Sequence, residues 1–315
     1  MGKSCFYTVV IISILLLCGC EKYIDFGGKE PAPKMVVNAV INARSDTNLI
    51  KISESVFDFS AQKPGIVENP EIRLSINGKE CNQIWLDTVI GVHSYYKFAS
   101  KLNAGDKIEF SAHTQRHGTA TGYDIVPDTV EIKNIDHAWF YKDGKGYLRL
   151  YVTLKDNPQE RNFYRIVVKT KTDITHPSIQ EPLQYWDLEK VFIDGEMLFH
   201  NPTETEEDGK APNYYRIFPD DMIQGKEYIL NIYIEESNYA DSDWNNYVRQ
   251  RVKVEIHTPS EKLYQNLNSQ ESATGPSGDV FSEPVKIYTN MQGGYGILGV
   301  YNVTGKEKLV AIKGE

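Results

Sequence analysis

Cysteine is scarce in this chain. Of its 315 residues only four are Cys, at positions 5, 18, 20 and 81, too few for the disulfide framework of a small secreted scaffold. Stability must come from buried apolar surface, and the length suffices for two cores rather than one. Long apolar runs are missing too: after Leu17 none approaches the ~20 residues of a transmembrane helix. The patterns HExxH, GxSxG and GxxxxGK[ST] do not occur, so no zinc hydrolase, nucleophile elbow or phosphate loop is advertised. No enzyme and no cofactor are expected. Positive charge is also short: 34 Lys and Arg face 43 Asp and Glu, a formal net of −9. That balance excludes attraction by charge to nucleic acid or anionic lipid headgroups.

What is present starts at the N-terminus. Lys3 precedes an apolar run from Phe6 to Leu17, too short to span a bilayer, and Leu17-Cys18-Gly19-Cys20 gives the apolar, small, small, Cys order that lipoprotein signal peptidase requires. Residues 1–19 are read as a bacterial lipoprotein signal peptide and Cys20 as the lipidated residue. An ordinary secretory signal or an uncleaved anchor is the competing reading. Each buried methylene contributes about 0.8 kcal/mol, so two or three acyl chains hold a protein stably on a membrane it does not cross. Cleavage removes Lys3, leaving 33 basic against 43 acidic residues, a net of −10. It also leaves Cys81 as the one unlipidated cysteine, a small packed residue with no partner His identified beside it.

Residues 20–34 contain Gly27, Gly28, Pro31 and Pro33 without strand or helix periodicity, and they read as a lipidated tether. From Met35 the chain breaks into short runs of Val, Ile, Tyr and Phe separated by turn residues, the pattern of an all-β protein. Strands are predicted near 34–42, 49–54, 71–76, 94–99, 107–113 and 129–133, with Asn77-Gly78 as a tight hairpin turn. Residues 35–134 thus suit an immunoglobulin-like or prealbumin-like β-sandwich.

A second β-rich domain is expected over 135–315, with strands near 147–154, 163–170, 191–193, 214–218, 228–235, 247–257, 285–290, 296–303 and 307–312. Leu148, Leu150, Val152 and Leu154 keep strict period two. Residues 259–271 are the one good helix candidate, capped by Thr258 or Ser260, with Leu263, Tyr264 and Leu267 on one face. This helix is expected to cover an edge or open end of the second sheet. The acidic run Glu204 to Asp208 reads as a solvated loop.

Gly294-Tyr295-Gly296-Ile297-Leu298-Gly299 matches the dinucleotide fingerprint, but the motif needs a following helix, and the sixteen residues left after Gly299 read as strand. A glycine-rich turn or bulge is expected instead. Asp241-Ser242-Asp243-Trp244-Asn245 spaces oxygens like a calcium loop, yet Asn246 stands where Gly is needed and Val252 where a bidentate Glu is needed. His113 and His117 lie on strand and turn, so they share no helical face for a metal. The twenty Tyr and four Trp either fill sandwich cores or form stacking surfaces. Tyr185-Trp186 is one candidate platform; Tyr239, Trp244 and Tyr247 are the candidate partner or ligand contacts.

Four stretches resemble the Bacteroidota outer-membrane lipoproteins of domain-of-unknown-function family 4249. They are the lipobox followed by Tyr23-Ile24-Asp25; Lys34 to Ala39; Val191-Phe192-Ile193-Asp194-Gly195-Glu196; and Glu283-Pro284-Val285-Lys286-Ile287-Tyr288-Thr289-Asn290 with Gly293 to Gly299. Leu298 departs from the aromatic expected there. The resemblance implies a lipid-anchored outer-membrane location facing the cell surface, and work beside a TonB-dependent transporter in nutrient binding or uptake. A structural or adhesive surface protein is the alternative. No catalytic residue carries over.

Overall fold

Alternation of apolar and polar residues governs the chain from Met35 onward, and in the computed structural model it becomes an all-β fold, as the pattern predicts. The structure describes residues 32–56, 65–142, 144–174, 186–188, 191–192, 216–235, 248–274 and 286–312. In chain order the strands are β1 (Met35–Asn42), β2 (Thr47–Glu54), β3 (Glu71–Ile76), β4 (Lys79–Glu80), β5 (Ile84–Ile90), β6 (His93–Ala99), β7 (Lys107–Thr114) and β8 (Gly118–Ile125). There follow β9 (Glu131–Lys142), β10 (Lys145–Lys155), β11 (Phe163–Ile174), β12 (Trp186–Leu188), β13 (Val191–Phe192), β14 (Ile217–Pro219), β15 (Glu227–Glu235) and β16 (Val248–Pro259). One helix, α1 (Glu261–Thr274), and a last strand, β17 (Tyr295–Ile312), complete the described elements.

A nine-stranded sheet runs β12-β11-β16-β17-β1-β2-β6-β5, with β14 also on β11; two four-stranded sheets run β13-β15-β10-β9 and β4-β3-β7-β8. One core fills the space between β3-β7-β8 and the β1, β2, β6 end of the long sheet. Met35, Val37, Ala39 and Ile41, alternate residues of β1, are 0% exposed there, each large one adding roughly 1.5–3 kcal/mol by burial. The other core lies between β9-β10-β15 and β11-β16, and holds Leu148, Leu150, Val152 and Leu154.

β17 belongs to both. Its first residues pair in parallel with β1, from Val36↔Tyr295 to Asn42↔Tyr301. From Tyr301 onward it pairs antiparallel with β16. Leu298 and Val300 lie in the β1 core and Val310 in the other, so a single strand contributes to both cores, and β9 runs unbroken through position 134, where local periodicity marks a boundary. Two strands read near 296–303 and 307–312 are thus one, because Gly305 continues the ladder opposite Glu255.

Three other local expectations are corrected. Residues 286–290 form no strand: side chains occupy their backbone, with Asn266 Nδ2 donating to the Tyr288 carbonyl (2.7 Å) and Ser269 Oγ accepting from Tyr288 N (2.9 Å). Strands β5 and β8 lie outside the predicted set; β8 forms a regular ladder with β7, whereas β5 pairs with β6 through a register shift between Leu86 and Thr88. Helix α1 covers a sheet face rather than an edge, with Leu263 against Gly299 of β17 and Tyr264 stacked on Phe163 of β11 at 4.3 Å. Its cap is Ser260, whose Oγ accepts from Leu263 N at 3.1 Å. The Asn77-Gly78 turn forms as expected, with φ of 52° and 77°.

Candidate functional site

The face of the long sheet turned away from the cores carries polar side chains at alternate positions, and the register of three strands collects them. On β16, Lys253, Glu255 and His257 share this face; Lys169 and Arg165 of β11 stand opposite Lys253 and His257. On β17, Val303 and Gly305 stand opposite His257 and Glu255. Tyr301 on β17, with Asn42 at the end of β1 and Arg44 just beyond it, closes a recess of about 420 Å³, within the range of small-ligand pockets. Gly305 keeps it open: a Cβ there would stand 3.1 Å from Lys253 Cε and 3.4 Å from Glu255 Cγ.

Glu255 is the centre of its charge. The residue is 7% exposed, and its carboxylate takes Lys169 Nζ at 2.9 Å on one oxygen and Lys253 Nζ at 3.1 Å on the other. Burial alone would raise its pKa, but the bonds and charges of the two lysines outweigh burial and hold it below the usual range. His257 Nε2 lies 3.5 Å from the same carboxylate, and its ring stacks on Tyr301 at 4.8 Å. Burial first, then the Arg165 guanidinium, pushes the His257 pKa down to about 4 against the pull of Glu255. The imidazole is neutral at pH 7, and its Nδ1 is buried with no hydrogen-bond partner. Burial likewise raises the Tyr301 phenol.

A second recess, of about 580 Å³, lies on the outer face of β3-β7-β8 and includes Arg73, Glu109, Tyr123, Asn290 and Gln292. Much of its polar lining is already committed. Asn290 bonds the backbone of Leu298 both ways, at 3.0 and 2.8 Å, and Gln292 bonds Thr121 through the backbone. Beneath it, Asp124 is 3% exposed and accepts from Ser260 Oγ (2.5 Å) and Val300 N (2.9 Å). Burial raises its pKa in spite of those bonds. Asp124 therefore ties β8, the helix cap and β17 into one joint.

The third feature is an edge. β5 ends the long sheet and pairs only with β6 among the described residues. Trp85, Leu86, Val89 and Ile90 on it are 44%, 52%, 44% and 61% exposed, and the strand is interrupted at one point by a register shift at Asp87, which pairs with Lys97 at 3.0 Å, a charge and bulge of the kind that blunt natural edges.

Of the residues singled out in the sequence, Cys20, Tyr239, Trp244 and Tyr247 lie outside the described residues, as do the Asp241 loop, Glu204 to Asp208 and Tyr185. Trp186 opens β12, with Lys171 Nζ 5.9 Å from its ring. The glycine motif forms no phosphate cradle: it is strand β17 paired to β1. A Cβ on Gly296 would meet the Val37 carbonyl oxygen at 2.0 Å, and one on Gly293 the Thr119 oxygen at 2.1 Å. These glycines serve close backbone approach. His113 and His117 are engaged separately, with Thr119 Oγ1 at 2.8 Å and Thr114 Oγ1 at 2.9 Å. Among the described residues no three His, Cys, Asp or Glu side chains gather as a metal site requires. Cys81 is half-buried, its thiol 3.6 Å from the Ala99 carbonyl.

Sequence reasoning missed both the recess and the edge. The alternation Lys253-Val254-Glu255-Ile256-His257 does announce a polar outward face, but nothing local reveals that Lys169 lies beside it.

Among the described residues these observations define an all-β protein of stacked sheets, with polar recesses and a largely apolar edge strand. The chain belongs to the family described as Domain of unknown function (DUF4249), whose model matches residues 21–307. Comparison with curated proteins gives no match.

Proposed function

We propose that this protein is a non-enzymatic lipoprotein held on the outer membrane through Cys20, assisting a TonB-dependent transporter in nutrient binding or uptake. Residues 21–34 serve as its tether, and the surface-facing side of the membrane suits that role. The observation that carries the partner half of the reading is β5. Its seven residues offer about 23 Å of strand, an unpaired main-chain edge to which an extended segment of another protein can add. Four large exposed side chains lie along it for the partner to bury, and Tyr and Trp dominate such contacts. Tyr239, Trp244 and Tyr247 remain further candidate contacts. A structural or adhesive surface protein would use the same edge against other proteins, which is the second reading.

The anchoring half is tested by labelled palmitate and membrane fractionation. Wild type incorporates label and sediments with outer membranes, whereas Cys20→Ala does neither and stays folded, since the lipid is separated from β1 by a polar tether. Retention of the variant in the outer-membrane fraction would sink the anchoring claim.

A further inference from the structure

We infer that the recess around Glu255 binds a small organic oxyanion, a molecule presenting carboxylate or phosphoryl oxygens. The first reason is a charge imbalance. Lys169, Lys253 and Arg44 line the recess and Arg165 adjoins it, four cations around the one carboxylate of Glu255, in a chain whose formal net is −9. Glu307, opposite Lys253 on the same face, is exposed and lies outside the recess. Glu255 spends both oxygens on the two lysines, and so holds their ammonium groups at the site without neutralising the remaining charge.

The second reason is that the surplus cations are brought together rather than dispersed. Arg165 Nε is buried without a hydrogen-bond partner. Arg216, held at φ 51°, passes its carbonyl to Ile166 N and sits close enough to Arg165 that burial and then that like charge lower its pKa. Like charges gathered on one face of a partly buried site are costly unless an anion joins them. Guanidinium and ammonium donors are the groups that recognise carboxylate and phosphate oxygens.

The third reason is the wall. The stacked rings of His257 and Tyr301, with Val303, face the same recess and give an apolar surface for the body of the molecule. The neutral His257 turns its Nε2 to the Glu255 carboxylate and adds to the recess an uncharged ring rather than a further donor. The volume of about 420 Å³ admits a tricarboxylate or a sugar phosphate but not a polymer.

The inference goes beyond the anchoring and transporter readings and does not rest on them, because it is tested on the purified full-length chain in detergent. Calorimetric titration and thermal melting at pH 7 would use citrate, glycerol phosphate and inorganic phosphate, each against sodium chloride at equal ionic strength. Saturable binding of at least one oxyanion is expected, with a rise in Tm that chloride does not reproduce. Citrate alone would mark a carboxylate site, and the phosphates alone a phosphoryl site. Arg44→Ala, at an exposed rim position, and Lys253→Gln should each weaken binding about tenfold, the scale of one charge-assisted hydrogen bond. Lys79→Ala, on β4 in another sheet, should leave binding unchanged. If Lys253→Gln fails to fold, Arg44→Ala decides alone. No saturable response to any of the three, or a response that Arg44→Ala leaves intact, would overturn the proposal.

Discussion

Replacing Gly296 by alanine adds one carbon where the first and last described strands meet, and its cost can be worked from two distances and an angle. Gly296 has φ 100°, a region that L-residues enter at about 1–3 kcal/mol. The added Cβ would stand 2.0 Å from the Val37 oxygen and 2.8 Å from its carbonyl carbon. Both are backbone, so β1 must move away from β17 along a seam of seven register pairs. Overpacking of this kind costs about 1–3 kcal/mol, giving a total of about 2–6 kcal/mol against a typical domain stability of about 5–15 kcal/mol. Gly78 is the matched control, with φ 77° and nothing within 4 Å of its Cβ, so alanine there should cost only about 1–2 kcal/mol. Urea unfolding followed by tryptophan fluorescence measures both. If Gly296→Ala costs no more than Gly78→Ala, close approach at this seam is not what the glycine supplies, and the reading of β17 as the strand joining the two cores loses its energetic basis.

The joint at Asp124 should behave as a unit: Ser260→Ala removes the helix cap and is expected to cost about 1–2 kcal/mol, and Asp124→Ala, which strands Val300 N and Ser260 Oγ, about 2–4 kcal/mol by denaturant unfolding. A double mutant costing less than the sum would show their coupling. His257 predicts an acid sensitivity. Its folded pKa of about 4 lies below the ordinary histidine value of 6.5, so between these pH values the unfolded chain binds the proton that the folded one refuses. Stability from this group is then complete above pH 6.5 and falls by about 3 kcal/mol as pH drops to 4. Unfolding midpoints across that window should flatten in His257→Gln. Nicotinamide and flavin nucleotides should leave the Tm unchanged, and a saturable shift with one of them would revive the glycine motif as a nucleotide site.

What could be read from the sequence was local. Leu148, Leu150, Val152 and Leu154 alternate without interruption and are all at most 2% exposed, because a strand with one face in a core obeys period two. Asn77-Gly78 made its hairpin because both residues tolerate positive φ. Ile84 to Ile90 escaped notice because a strand exposed on both sides has no reason to alternate, and Gly118 to Ile125 because Gly and Thr weaken the apolar signal. The parallel pairing of Val36 with Tyr295 lies beyond any window of local periodicity. It is also what places Asn42 and Arg44 beside Tyr301. The recess was illegible for the same reason: Lys169 and Glu255 stand 86 positions apart in sequence and become neighbours only through register.

The most direct test of the central claim is copurification through β5. Gentle detergent solubilisation with crosslinking, followed by capture of the wild-type chain, is expected to bring down a TonB-dependent transporter. Val89→Lys, at a position 44% exposed where the fold tolerates charge, should lose most of it while keeping the wild-type Tm. Equal recovery with Val89→Lys would contradict the edge as the docking strand, and no transporter under any condition would contradict the uptake role and bring the adhesive reading forward.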